Sequence, residues 1–170
     1  ELKRKGMADN VKLGAGGIRE VEFIGQAFQL IRGGRDPELQ IRPILTVLER
    51  LGERQQLTPE AVDELTRAYE FLRLVENRIQ AWQDRQTHLL PDDELGRLRI
   101  ARSMGFAEWP AFHAELERHR ILVQGHFDDV FAVSREEAAS DDNPMAIVWG
   151  QQLDHEHAIE LLQEAGFRDC

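Results

Sequence analysis

After Thr58-Pro59 the chain sets Val62, Leu65, Ala68, Tyr69, Leu72, Val75, Ile79 and Trp82 at helical spacing, with charged and amide residues between them. Apolar residues recurring in this way form one stripe along an α-helix, and a stripe of that length must be covered by other elements. The Thr58 hydroxyl is suited to cap the free amides of a helix start, and Pro59 fills a first-turn position that needs no donor. A helix of about 28 residues is expected here, long enough to serve as the central element of a bundle.

The same period recurs in shorter pieces. Residues 18–32 read as a first helix closed by Gly33-Gly34, and residues 41–51 as a second, with Ile41, Ile44, Leu45, Leu48 and Leu51 in register and Gly52 behind them. Asp92 after Pro91 opens a helix ending at Gly105, and Trp109, Phe112, Leu116, Val123, Phe127 and Phe131 line another long one. Residues 134–143, polar and low in bulk, read as a linker. Asn143-Pro144 and Asp154 then start two short helices, the last stopped by Gly166. One short strand is expected, Asn10-Val11-Lys12-Leu13. The fold class is therefore all-α, a helical bundle.

The chain's 170 residues suffice for one ordinary domain. With 21 Lys plus Arg against 31 Asp plus Glu, the net charge of -10 argues against a surface that tracks nucleic-acid phosphates or anionic lipid. Cys170, the single cysteine, leaves no intrachain disulfide and no thiolate zinc site, which suits a reducing compartment. No segment is long and apolar enough to span a bilayer, and no signal peptide is expected. Because the chain opens with "ELKRKG" and not with a methionine, it is expected to be cut from a larger protein.

Residues 14–17, "GAGG", place several backbone amides at the mouth of the first helix, where unpaired donors and the helix dipole favour a phosphate. The spacing is neither a dinucleotide fingerprint nor a P-loop, and a turn needing positive φ explains it equally. Glu20 falls within the apolar arc made by Val21, Phe23, Ile24, Ala27, Phe28, Leu30 and Ile31. A carboxylate there is either paired with a cation, left in a wet first turn, or given a direct chemical role.

On the long helix Glu76 sits at the rim of the apolar arc with Arg73 one turn earlier and Asn77 beside it. An ion pair at i, i+3 accounts for Arg73 and Glu76, and a polar patch facing a partner domain is the alternative. Gln86, Thr87 and His88 follow in a polar turn, read either as helix capping or as part of that patch. His155 and His157 diverge on a helix and make no zinc site, while His113, His119 and His126 read as packing residues.

"NVKLGAGGIREVEFIGQAFQLIRGGRDPELQ" at 10–40, "AYEFLRLVENRIQAWQDRQTHLLP" at 68–91 and "GF-x-x-W" at 105–109 together resemble the bifunctional glutamine synthetase adenylyltransferase and adenylyl-removing enzymes, and within them the adenylyl-removing half. The likeness covers about residues 1–135. The uridylyltransferases of nitrogen signalling match the same phrases less well. The resemblance implies a nucleotidyltransferase domain, a small sheet whose carboxylates hold divalent metals, followed by a helical bundle. Residues 1–16 would be the tail of that mostly absent domain, 17–133 the bundle, 134–143 the linker and 144–170 a short helical segment leading into the central region.

In the family picture AMP is removed from a tyrosine of glutamine synthetase by phosphorolysis, with Mg2+ and a nucleotide, ATP or ADP, bound by the full-length enzyme and none by this fragment alone. The expected partners are glutamine synthetase and the nitrogen-signalling PII protein, with no nucleic acid and no membrane, in the cytoplasm. The family's metal-bearing D-x-D element is missing from this sequence, so the fragment by itself is expected to be inert. By position, Gly16, Gly17 and Arg19 would touch phosphate, Glu20 would support the catalytic site, and Arg73, Glu76, Asn77, Gln86 and His88 would form the interdomain or partner patch. The competing reading is a regulatory bundle that binds a signalling protein or glutamine synthetase and has no part in the active site.

Overall fold

A computed structural model describes residues 7–138, which form helices joined by turns. The chain divides into two compact units, Glu1–Asp128 and Asp129–Cys170. Helix α1 spans Ile18–Arg32, and a 3-10 turn, Pro37–Leu39, follows it. Next come α2 (Ile44–Glu53), α3 (Pro59–Gln83), α4 (Glu94–Ser103) and α5 (Trp109–Ala138). The all-α class expected from the periodicity is the one observed.

Helix α3 is central. Ala61, Leu65, Ala68, Leu72, Val75 and Ile79 are all buried along it, a stripe alternating steps of four and three residues. Against that stripe lie Ile18, Val21 and Ile24 of α1 and Val47, Leu48 and Leu51 of α2, all at most 1% exposed. Gly25 lets α1 and α2 approach, since a Cβ there would meet the Ile44 side chain at 2.5 Å. On α5, Phe112, Leu116 and Val123 are buried, and Phe71 of α3 stacks on the His119 ring at 4.6 Å between centroids. Burying a Leu, Ile, Val or Phe side chain stabilises a fold by roughly 1.5–3 kcal/mol, so this shared seam is what holds the helices together.

Local chemistry sets the ends. Thr58 Oγ1 accepts the Ala61 amide at 3.1 Å, the cap expected from the sequence, and Gly33 closes α1 with its amide on Gln29 O. Helix α2 begins at Ile44 and not at Ile41, because Pro43 stands at its N-cap and disfavours helical backbone in the residue before it. Helix α3 has 25 residues and stops at Asp84, which adopts a left-handed conformation with φ 48°. Asp93, not Asp92, caps α4 by accepting the Gly96 amide at 2.8 Å. Helix α5 continues to Ala138, so residues 134–138 of the expected linker are helical. The remainder of that linker and the two short helices expected after it lie outside the described residues.

The expected strand is reduced to one antiparallel bridge, Asn10 with Leu89. Asn10 is the reason: its Oδ1 accepts the amides of Lys12 at 3.0 Å and Leu13 at 2.8 Å, which turns the chain away from the sheet direction. No described helix is long and apolar enough to cross a membrane.

Candidate functional site

The segment before α1 is clamped from two sides. Val11 N–H donates to His88 O at 2.9 Å and Leu90 N–H to Asp9 O at 2.9 Å, pairing residues 9–11 with the turn that follows α3. From α5, the guanidinium of Arg120 donates to Ala8 O at 2.7 Å and to Asn10 O at 2.8 Å. Arg120 is 7% exposed, so these charge-assisted bonds form away from water, where they count most.

This clamp sets Lys12 against α3. Its ammonium lies 3.6 Å from Glu76 Oε1, while Arg73 Nη1 donates to Glu76 Oε2 at 2.5 Å. His88 Nδ1 lies 2.8 Å from Glu76 Oε1, off the line of a good hydrogen bond. Glu76 is 2% exposed, and its three neighbours relieve the heavy penalty that a bare buried carboxylate would carry. Around the group opens a pocket of about 320 Å³ lined by Lys12, Arg73, Glu76, Asn77, Gln80, Gln86 and His88. Every residue named from the sequence for a polar patch, Arg73, Glu76, Asn77, Gln86 and His88, lines this one cavity. Gln86 and His88 line it, and the His88 carbonyl accepts the Val11 amide.

The glycines have a different role in packing. Gly16 has φ +67°, and a Cβ there would fall on the backbone of Arg120, so a side chain is excluded both by conformation and by space. The amides that a phosphate would need already have acceptors: Gly16 N–H gives to Glu20 Oε2 at 2.9 Å, Gly17 to Gly14 O, Ile18 to Val11 O and Arg19 to Lys12 O. Arg19 itself reaches Glu22 at 3.4 Å on the surface.

Glu20 is half-buried and not at the centre of a buried face. The core side of α1 holds Ile18, Val21, Ile24 and Gly25, while Phe23, Leu30 and Ile31 of the same expected apolar arc are exposed. Burial pushes the Glu20 carboxyl above its usual range, the Gly16 amide opposes this, Asp128 reinforces it and Arg120 offsets it. Among the described residues no three histidine, cysteine or carboxylate side chains cluster as a metal site requires. The donor set here does not fit Mg2+, and no chemical step runs through a metal held by these residues.

Sequence reasoning missed Arg120, Lys12 and Gln80. Arg120, one of two arginines between Leu116 and Val123, carries no signal of its own, because the carbonyls it binds lie 110 and 112 residues away in sequence. Lys12 was legible only as part of a strand. Gln80 lies one turn beyond Glu76 and was open to detection by i, i+4 spacing.

The family model described as GlnD PII-uridylyltransferase matches residues 1–131. The bifunctional glutamine synthetase adenylyltransferase/adenylyl-removing enzyme of Thioalkalivibrio sulfidiphilus is 53% identical over 100% of this chain and 18% of its own length. The protein of the same description from Pseudomonas aeruginosa is 49% identical over 100% of this chain, and that from Nitrosococcus oceani 50% identical over 99%. This chain spans 18% of the length of each of them. The relatives bear the description that the phrases at 10–40 and 68–91 resemble, while the name of the family model is that of the uridylyltransferases.

Proposed function

Since the chain belongs to the family described as GlnD PII-uridylyltransferase, we propose that it is the helical part of the adenylyl-removing half of a bifunctional glutamine synthetase adenylyltransferase, set against the nucleotidyltransferase domain whose chemistry it supports. The full-length protein removes AMP from a glutamine synthetase tyrosine by phosphorolysis, in the cytoplasm, under control of the PII protein. Mg2+ and ATP or ADP belong to the neighbouring domain, where they would supply charge stabilisation on the phosphoryl group. The residues of this chain hold the incoming segment, place Lys12 and Arg73, and line the pocket between them.

One observation carries this reading: Lys12, on the segment entering the bundle, meets Arg73, Glu76 and His88 in a pocket open to solvent. Three chain segments converge on a buried carboxylate, and a buried ion pair is weak evidence for a purely stabilising role, since well-packed apolar residues often do as well. The test is Glu76→Gln in the full-length protein, with AMP release from adenylylated glutamine synthetase and AMP addition from ATP measured separately. Removal should fall at least about tenfold with addition retained. Equal loss of both, or of neither, rejects the reading.

A specific feature favours a second role in partner binding. Leu30 is 85% exposed and Ile31 61%, beside a groove lined by Ile31, Arg32, Arg35, Asp36, Leu39, Arg54 and Gln56. Exposed aliphatic side chains next to arginines are common where proteins dock. Leu30→Asp in the full-length protein should weaken binding of glutamine synthetase or PII at unchanged fold; equal affinities exclude this surface.

A further inference from the structure

The pocket on α3 has an arrangement of charge that its role as a domain-facing surface does not require. Glu76 forms the floor, with its side chain 3% exposed, whereas Lys12, Arg73 and His88 stand above it with side chains 30%, 41% and 27% exposed. The carboxylate is turned inward and the cations outward. Two permanent positive charges face one buried negative charge, so the mouth carries an excess of positive charge in a chain whose net charge is -10. Asn77, Gln80 and Gln86 add neutral amide donors around the rim.

Glu76 also orders the cations. Lysine and arginine side chains are long and have much rotamer entropy to lose when held in place. Contact with the Glu76 carboxylate fixes both before any ligand arrives, which is the preorganisation that a binding site needs. Arg73 uses Nη1 on Glu76, leaving its other guanidinium donors for a second acceptor. The cavity of about 320 Å³ is at the small end of the roughly 300–1,000 Å³ typical of ligand pockets.

We infer that this pocket binds a phosphate-class oxyanion between Lys12 and Arg73, with the amides of Asn77, Gln80 and Gln86 completing its hydrogen bonds. The inference deepens the proposed function and rests on it for the source of the anion. Two sources share this chemistry, free inorganic phosphate and the phosphoryl group of a bound adenine nucleotide.

The experiment uses the full-length protein, with inorganic phosphate, AMP and ADP as separate probes, binding measured by calorimetry and the Michaelis constant for phosphate by the rate of AMP removal. Arg73→Gln and Lys12→Gln each leave Glu76 two of its three partners, and Lys12→Arg tests rescue. Loss of one charged donor should weaken phosphate binding about tenfold or more in each Gln variant, with Lys12→Arg restoring most of it. If phosphate alone is affected, the site takes free phosphate; if AMP and ADP weaken in step, it takes a nucleotide phosphoryl group. Unchanged affinity for all three probes in correctly folded variants overturns the inference, and a fall in removal rate at saturating phosphate with that affinity intact overturns it while leaving the proposed function standing. Weakened phosphate binding with an unaltered rate of removal supports the oxyanion site and counts against its place beside the catalytic domain.

Discussion

Arg120→Met isolates the clamp that sets the pocket, because it keeps an unbranched apolar stem in a buried position and removes every donor. Three charge-assisted hydrogen bonds would be lost, to Ala8 O at 2.7 Å, to Asn10 O at 2.8 Å and to the more exposed Glu117 Oε1 at 3.1 Å, and the two carbonyls would each lose a donor. Bonds to charged groups contribute about 1.5–3 kcal/mol each. Offsetting them, the variant no longer buries a guanidinium whose Nε has no acceptor, which recovers part of the desolvation penalty. The net loss is about 2–3 kcal/mol, or roughly 30- to 150-fold in a local opening equilibrium. Amide hydrogen exchange reads it directly: the Val11 and Leu90 amides, which bind His88 O and Asp9 O, should exchange faster by that factor. Amides of the α2–α3 seam, such as Leu48 and Leu72, should change far less. Equal acceleration everywhere would mean that Arg120 supports the whole bundle, and no acceleration at Val11 or Leu90 would refute the clamp.

Gly16→Ala should destabilise the turn by more than about 2 kcal/mol, because the new methyl meets the Arg120 backbone and the position has positive φ; a denaturant midpoint equal to wild type would refute the close approach. Glu20→Gln follows from the raised carboxyl pKa. A raised acid favours the fold while protonated and loses that contribution as pH rises through its folded value, so the variant should gain on wild type as pH rises above the ordinary carboxylate range, and parallel stability profiles would contradict this. The His119 ring, by contrast, is held below the ordinary imidazole range by burial and then by Arg118, with Glu115 opposing. The unfolded chain takes the proton first, so stability should decline as pH drops below about 6.5, and His119→Phe, which keeps the stack on Phe71, should decline less; identical slopes would exclude this.

What could be read from the residues, and what could not, divides by the range of the interaction. Thr58 and Pro59 start α3 as their chemistry requires, and Gly33 stops α1, because a cap joins atoms only a few residues apart. The patch residues Arg73, Glu76 and Asn77 were legible for the same reason, being neighbours on one helix face. Asn10 was misread: β-type spacing at 10–13 was overridden by a side chain that bonds its own backbone. The arc of α1 was too wide, since the wheel cannot tell which half of a broad apolar surface the other helices cover. Leu30 and Ile31 are exposed while Ile24 is buried, a difference made by where α2 and α3 lie.

From residue order alone came the all-α class, the central helix and its punctuation, all products of periodicity and local hydrogen bonding. Only the folded chain decided that Lys12, Glu76 and His88 share one cavity, that Arg120 ties α5 to the entering segment, and that the amides of the glycine turn are already occupied. The first two depend on groups far apart in sequence coming within hydrogen-bonding or ion-pair reach, and the third on the backbone path of one turn, neither of which a one-dimensional pattern encodes.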